Sequence, residues 1–229
     1  MSPTISIGHR YEKQGKNGHD MKLAVSISNP KDIAIALDYK PDLLELRLDL
    51  MPGVAPGTLA DCLSGSRTPV ILTLRSRDEG GQFVGSPPEW ERTLEPYLDL
   101  AGYVDIEERF REKAHDISAR GCSIIASWHT FSMPSPGYLD EKYQVLREYG
   151  NIPKIITVPG DENDILSLCR FTADAEKPLI TGTMGPAFRF SRIFLLFFGS
   201  WAAFCHCGKP AAPGQFHIRD AKKILLLLQ

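Results

Sequence analysis

Long apolar runs are scarce in this chain. The most apolar stretch, Ile193 to Phe204, is broken by Gly199-Ser200. It falls short of the roughly 20 residues that a membrane-spanning helix needs. The last leucines, Leu225 to Leu228, follow Asp220, Lys222 and Lys223, so they read as an amphipathic helix docked on a core and not as an anchor. An excess of one charge is also missing: 26 Lys and Arg stand against 28 Asp and Glu, a net charge of -2. With no basic run and no interleaved aromatic stripe, neither a nucleic-acid partner nor an anionic membrane surface is supported. Paired cysteines are absent too. Cys62, Cys122, Cys169, Cys205 and Cys207 are odd in number and form no CxxC pair, which points to a reducing cytoplasm and not to a disulfide framework. Cys205-His206-Cys207 has no second ligand pair at zinc-like spacing, and structural zinc needs four converging ligands, so no metal is expected. Residues 1–20 are polar and charged, an arm or hairpin without the apolar core of a signal peptide.

What is present is ordinary in amount and regular in order. The 229 residues, 43% hydrophobic and 24% charged, suffice for one large α/β domain or two small ones. Short β-branched runs bounded by Gly, Pro and Asn predict strands over 22–28, 42–49, 69–75, 103–107, 123–129, 151–158, 178–184 and 202–205. Helical stretches follow each: one opened by Asn29 as N-cap with Pro30 at the first helical position, then 55–64, 88–98, a charged segment to Arg120, 139–149, 162–173, 191–198 and 218–228. Eight strand–helix repeats without a composition break predict a single-domain α/β fold, a (β/α)8 TIM barrel over residues 21–229. An open doubly wound sheet is the runner-up. It calls for a Gly-rich phosphate turn after the first strand, and Ser26-Ile27-Ser28-Asn29-Pro30 is not one.

In a barrel, chemistry sits at the C-terminal ends of the strands. Those ends are unusually charged. Glu45, Arg47 and Asp49 share one face of the second strand. Arg75 ends the third, Asp105 and Glu107 share a face of the fourth, and Ser127-Trp128-His129 ends the fifth. Lys154 lies near the start of the sixth strand. A lone lysine there would be expected to snorkel to water, and isolated inward charges are often structural ion pairs. A whole set of inward charges predicts a polar pocket instead, since buried charges need partners. A desolvated lysine near arginines is pushed toward the neutral amine, which attacks a carbonyl to give a Schiff base. His129 is suited to remove the acidified neighbouring proton. Glu79, in the loop after the third strand, is within reach to orient that imidazole. Arg47, Arg75 and Arg192 offer forks for substrate oxygens. The residues thus read as a Schiff-base lyase or aldolase acting on a small anionic carbonyl compound.

Several segments together carry a resemblance. They are Glu45-Leu46-Arg47, Thr73-Leu74-Arg75 with Glu79-Gly80-Gly81, Asp105-Ile106-Glu107, Ser127-Trp128-His129 with Phe131, and Ile152-Pro153-Lys154. Met184, Ser191-Arg192 and Ala212-Pro213-Gly214-Gln215 complete the set. In this order and spacing the chain resembles the type I 3-dehydroquinate dehydratases of the shikimate pathway, enzymes of aromatic amino-acid biosynthesis. The resemblance implies a cytoplasmic lyase that converts 3-dehydroquinate to 3-dehydroshikimate with no metal or organic cofactor. It implies Lys154 as the imine-forming residue, His129 as general acid and base, and Glu79 as the carboxylate that positions His129. Ser26, Glu45, Leu46, Arg47, Arg75, Arg192, Ala211 and Gln215 become substrate-binding positions, with Gln215 on a closing lid after the eighth strand. A homodimer is frequent in the family, but the residues say nothing of it.

Two departures stand out. Ala211 occupies the place of the family's lid serine, so one substrate hydrogen bond, worth roughly 1.5–3 kcal/mol where the partner is charged, is missing or otherwise supplied. The loop Met184 to Phe190 lacks the family's small residue near Phe188, which makes Arg189 a rival to Arg192 for the substrate carboxylate. A sugar-phosphate aldolase would need a Gly-rich cradle after strands seven and eight, where only Gly182 and Gly185 occur. A non-catalytic barrel is disfavoured by the joint presence of Lys154, His129 and Glu79.

Overall fold

Successive side chains of a strand point to opposite faces, so parity decides what a barrel encloses. The computed structural model describes residues 21–228, and the expected arm over 1–20 lies outside them. Eight strands and eight helices alternate: β1 Lys22–Ile27, α1 Asp32–Asp38, β2 Leu43–Arg47, α2 Pro56–Leu63, β3 Val70–Thr73, α3 Pro87–Leu94, β4 Tyr103–Glu107 and α4 Ala114–Ala119. β5 Ser123–His129, α5 Pro136–Arg147, β6 Ile152–Thr157, α6 Glu162–Asp174, β7 Ile180–Thr183, α7 Ser191–Phe194, β8 Ala202–Cys205 and α8 Ile218–Leu228 complete it. The strands form one parallel sheet in the order β7-β6-β5-β4-β3-β2-β1-β8. It curls into a single-domain (β/α)8 barrel. At the seam, Trp201 N–H donates to Leu179 O at 2.7 Å, and Ser200 Oγ bonds both Thr181 N and Thr181 O at 3.1 Å.

Inside, the two halves of the barrel differ. Ala24, Leu43, Ile71, Ile125, Ile152, Ile156, Ile180 and Ala202 pack as one apolar cluster with Tyr103 and Trp201 against it. All but Ile156, which lies level with His129, plug the barrel below the charged strand ends and floor the polar pocket. Residues of opposite parity, such as Val25, Leu46, Leu72 and Val104, pack outward with the helices. Trp90 of α3 lies fully buried there, stacked on Phe110 at 4.7 Å, with its Nε1–H on Leu74 O at 3.0 Å. Deleting so large a buried ring costs about 3–5 kcal/mol. Among the described residues no helix is long and apolar enough to cross a membrane. Among the described residues no disulfide joins any of the cysteines.

Several helix boundaries differ from expectation. Asn29 Oδ1 accepts from Lys31 N at 3.1 Å, a local turn that competes with helix initiation, so α1 begins at Asp32 without a side-chain cap. α5 begins earlier than expected, at Pro136, because Ser135 caps it by accepting from Tyr138 N. The tail of the third helix, Glu95–Leu100, and the charged segment Glu108–Lys113 are 3-10 turns.

Candidate active site

The polar layer above the apolar plug is built round Lys154. It is the third residue of β6 and lies level with Ser127 of β5, while His129 lies level with Ile156, one inward position higher. Lys154 is 3% exposed. Its Nζ donates to Asp105 Oδ2 at 2.8 Å, stands 3.9 Å from Glu45 Oε1 and lies 4.1 Å from the centre of the Phe204 ring. The groups against the lysine are therefore carboxylates and an aromatic face, not the arginines that the sequence suggested.

Asp105 divides its oxygens. Oδ1 accepts from Arg75 Nη2 at 2.7 Å and Ser127 Oγ at 2.5 Å, which leaves Oδ2 to the lysine. Burial would raise this carboxyl, but Arg75 and Lys154 outweigh burial and hold it at about 2.

The two strand-end arginines are engaged by the protein. Arg75 Nη1 donates to Glu79 at 3.2 Å and to Glu107 and Ser127 at 3.0 Å. Burial opposes its charge, yet Asp105, Glu107 and Glu79 raise its pKa above the usual arginine range. It organises the carboxylates and presents no open fork. Arg47 gives Nε and Nη2 to Asp49, each at 2.8 Å, and keeps Nη1.

His129 sits over this layer. Glu79 Oε2 accepts from His129 N at 3.1 Å and lies 2.8 Å from His129 Nδ1. The same oxygen also accepts from Arg75. An oxygen already receiving two N–H donors takes Nδ1 as a third, so the ring hydrogen sits on Nδ1 and Nε2 is left bare. Burial first, then Arg75, Lys154 and Arg47, push His129 well below 6.5. Burial first, with Glu107 and Asp105 and against Arg75, pushes the Glu79 carboxyl up to about 8.

The loop after β8 covers the barrel mouth. Gln215 is buried; its Nε2 donates to Ser26 Oγ at 3.1 Å, and its Oε1 accepts from Ala211 N at 2.9 Å and Ala212 N at 3.3 Å. Ser26 in turn donates to Glu45 Oε2 at 2.5 Å, and Thr73 donates to Glu45 Oε1 at 3.0 Å. Gly214, at φ +84°, lets this loop touch the one after β7: a Cβ there would lie 2.2 Å from Gly185 O. Arg192 spans both loops, with Nη2 on Pro213 O at 2.9 Å and a buried Nε that has no partner among the described residues. Burial lowers its pKa to about 10. Arg189 is exposed and lies over the Phe216 ring at 4.1 Å.

Ser26, Glu45, Arg47, Arg75, Glu79, His129, Lys154 and Gln215 thus belong to one connected network. Arg192 and Ala211 border it on the covering loop. Leu46 is a correction: its side chain packs in the outer core, because its parity is opposite to that of Glu45 and Arg47. Asp105, Ser127, Asp49 and Phe204 were left out of the site residues read from the sequence. Phe204 could have been found by parity, since it pairs with Ala24 two residues below Ser26. A groove of about 980 Å³ between α5 and α6, lined by Tyr143, Phe171 and Asp174, contains none of these groups. Among the described residues no cluster of three or more His, Cys, Asp or Glu is placed to hold a metal ion.

The family model for type I 3-dehydroquinase matches residues 23–229. The 3-dehydroquinate dehydratase of Methanoregula boonei is 43% identical over 208 residues, covering 91% of this chain and 100% of that protein. The crystal structure of 3-dehydroquinate dehydratase from Geobacillus kaustophilus superposes with a TM-score of 0.82 at 25% identity, covering 91% of each chain. That from Aquifex aeolicus gives 0.78 at 26% identity, covering 89% of this chain and 97% of the other.

Proposed function

The chain belongs to the type I 3-dehydroquinase family of hydro-lyases, and from that premise we propose that it dehydrates 3-dehydroquinate through an imine on Lys154, with His129 as general acid and base. The observation that carries this reading is a buried lysine one inward position below a histidine on the adjacent strand, with the histidine's Nδ1 held by Glu79. The Lys154 amine attacks the substrate ketone, the carbonyl oxygen leaves as water, and an iminium forms. Asp105, hydrogen-bonded to Nζ, orients the amine toward the carbonyl, and the proton that the nitrogen sheds goes to the departing oxygen. The iminium draws electrons from the neighbouring carbon, and the bare Nε2 of His129 removes a proton there to give an enamine. His129 then returns that proton to the hydroxyl on the next carbon, which departs as water. Hydrolysis of the imine consumes one water, frees 3-dehydroshikimate and restores the amine, so the net change is the loss of one water.

Arg192 is the group proposed to meet the substrate carboxylate. Its buried Nε lacks an acceptor among the described residues, whereas Arg189 is exposed and spent on the Phe216 ring. Glu45, Arg47 and Ser26 face the remaining substrate oxygens, and Gln215 closes the mouth. Cysteines that form no disulfide among the described residues support a reducing cytoplasm as the place of work. Borohydride added during turnover of 3-dehydroquinate should leave a stable mass increase on the peptide containing Lys154, and Lys154→Ala should lose both adduct and activity. An adduct on a different lysine, or activity that survives Lys154→Ala, would sink the imine reading. An aldolase reading would instead require carbon–carbon cleavage within a substrate panel.

A further inference from the structure

Asp49 lies just beyond β2, in the 3-10 turn Leu48–Leu50, with its side chain shut off from solvent. Its two oxygens accept four N–H groups from three segments. Arg47 Nε and Nη2 bind it at 2.8 Å each, Arg75 N reaches Oδ1 at 3.4 Å, and Gln82 N reaches Oδ2 at 3.1 Å. Arg47 belongs to the substrate side of the pocket. Arg75 N and Gln82 N belong to the two ends of the tight loop that carries Glu79, and Glu79 holds His129. That loop is otherwise closed on itself, with Gly81 N on Ser76 O at 2.7 Å and Phe83 N on Arg75 O at 3.0 Å. A second buried carboxylate, Glu107, grips its start through Ser76 N at 2.8 Å.

We propose that Asp49 is a positioning residue that holds the Arg47 fork and the Glu79 loop in one register, so that substrate binding and proton transfer are set by a single buried carboxylate. The chemistry favours a carboxylate specifically. A side chain that only accepts can satisfy four donors from different directions, whereas an amide must turn its NH2 toward some of them. Misplacement of a catalytic group by about an ångström costs up to about 100-fold in rate.

The test compares wild-type protein with Asp49→Asn, Arg47→Ala and the double variant, reading kcat, KM and the pH dependence of kcat/KM. Arg47→Ala should raise KM with kcat little changed. Asp49→Asn should raise KM and lower kcat, each by about tenfold or more, and should displace the acid limb of the pH profile. The fall in kcat should persist undiminished when Arg47 is already absent. Gly81→Ala gives a second route that leaves the Asp49 carboxylate intact. Its added Cβ would lie 2.2 Å from Arg75 O and so displaces the same loop. It should lower kcat without raising KM. A fall in kcat that vanishes in the Arg47→Ala background would overturn the proposal, because Asp49 would then act on Arg47 alone. So would an unmoved pH profile in Gly81→Ala. The inference rests on the roles given above to His129 and Glu79. If the wild type forms no adduct on Lys154, that reading fails; if the adduct forms but the double variant recovers kcat, only this one does.

Discussion

Glu79 and His129 are joined twice, through the backbone N–H and through Nδ1, and their environments push them in opposite directions. The histidine is held well below 6.5 and the carboxyl is raised to about 8. A base whose pKa is lowered keeps its lone pair as pH falls, so the acid limb of kcat/KM lies below pH 6.5, not at it. From that raised carboxyl we predict that Glu79 keeps a proton at neutral pH, held on Oε1 because Oε2 takes three N–H contacts. A neutral carboxyl in this place is closely copied by an amide. Glu79→Gln should therefore keep most of the wild-type kcat at pH 7, whereas Glu79→Ala, which frees the imidazole, should lose about 10²–10⁴-fold, the usual worth of a positioned acid–base. Above pH 8 the wild-type carboxyl ionises and makes Nε2 more basic, so the wild-type rate should rise there and the Glu79→Gln rate should stay flat. Steady-state kcat and kcat/KM measured from pH 5.5 to 9.5 check both statements. A Glu79→Gln protein as poor as Glu79→Ala would show that a full negative charge is needed, and the protonation scheme would fall.

The loop after β8 shows what an element contributes beyond its residues. Gln215 closes the pocket only because Ala211 and Ala212 turn their N–H groups onto its Oε1 and Gly214 lets the chain pass Gly185 O. Gly214→Ala requires a left-handed backbone with a Cβ, costing about 1–2 kcal/mol before the collision with Gly185 O is counted. In the proposed reading, in which this loop closes over substrate, that alone shifts closure roughly 5–30-fold toward open. KM for 3-dehydroquinate should rise by at least that factor, while borohydride trapping on Lys154 continues. An unchanged KM would mean that the loop does not close over substrate. This element also marks the limit of what a sequence states. Strand parity was legible, because a period of 2 survives in any register, and it correctly faced Glu45, Arg47, Asp105 and Lys154 inward. The partners were not legible. Which carboxylate meets Lys154, or that Arg75 binds four protein groups, depends on the stagger between strands, and no single strand records that. Leu46 failed for the complementary reason: it came in with its neighbours in a matched segment although its own parity points outward. The early turn at Asn29 and the early cap at Ser135 were missed because a side chain bonding a nearby N–H moves a helix start by two or three residues.

At the scale of the whole molecule, the site depends on the barrel staying closed. Lys154, His129 and Asp105 sit on three strands, β6, β5 and β4, and Arg75 lies just beyond β3, so their spacing is fixed by the circumference of the sheet. Seven of the eight strand junctions are parallel ladders; β7 and β8 lie at the two ends of the paired order. What joins them is Trp201 N–H on Leu179 O and the hydroxyl of Ser200, which accepts from Thr181 N and donates to Thr181 O. Ser200 is buried, so the hydroxyl stands in for water and for a missing ladder bond. Ser200→Ala should leave Thr181 N–H and C=O unpaired in a dry place, at a cost of about 1–3 kcal/mol. Urea unfolding should show a lower midpoint with an unchanged slope, since the same surface is exposed on unfolding. Because Lys154 lies on β6, next to the loosened strand, kcat should fall further than the fraction of unfolded protein explains. If instead the midpoint falls and kcat per folded molecule holds, the seam stabilises the barrel without setting the geometry of the site.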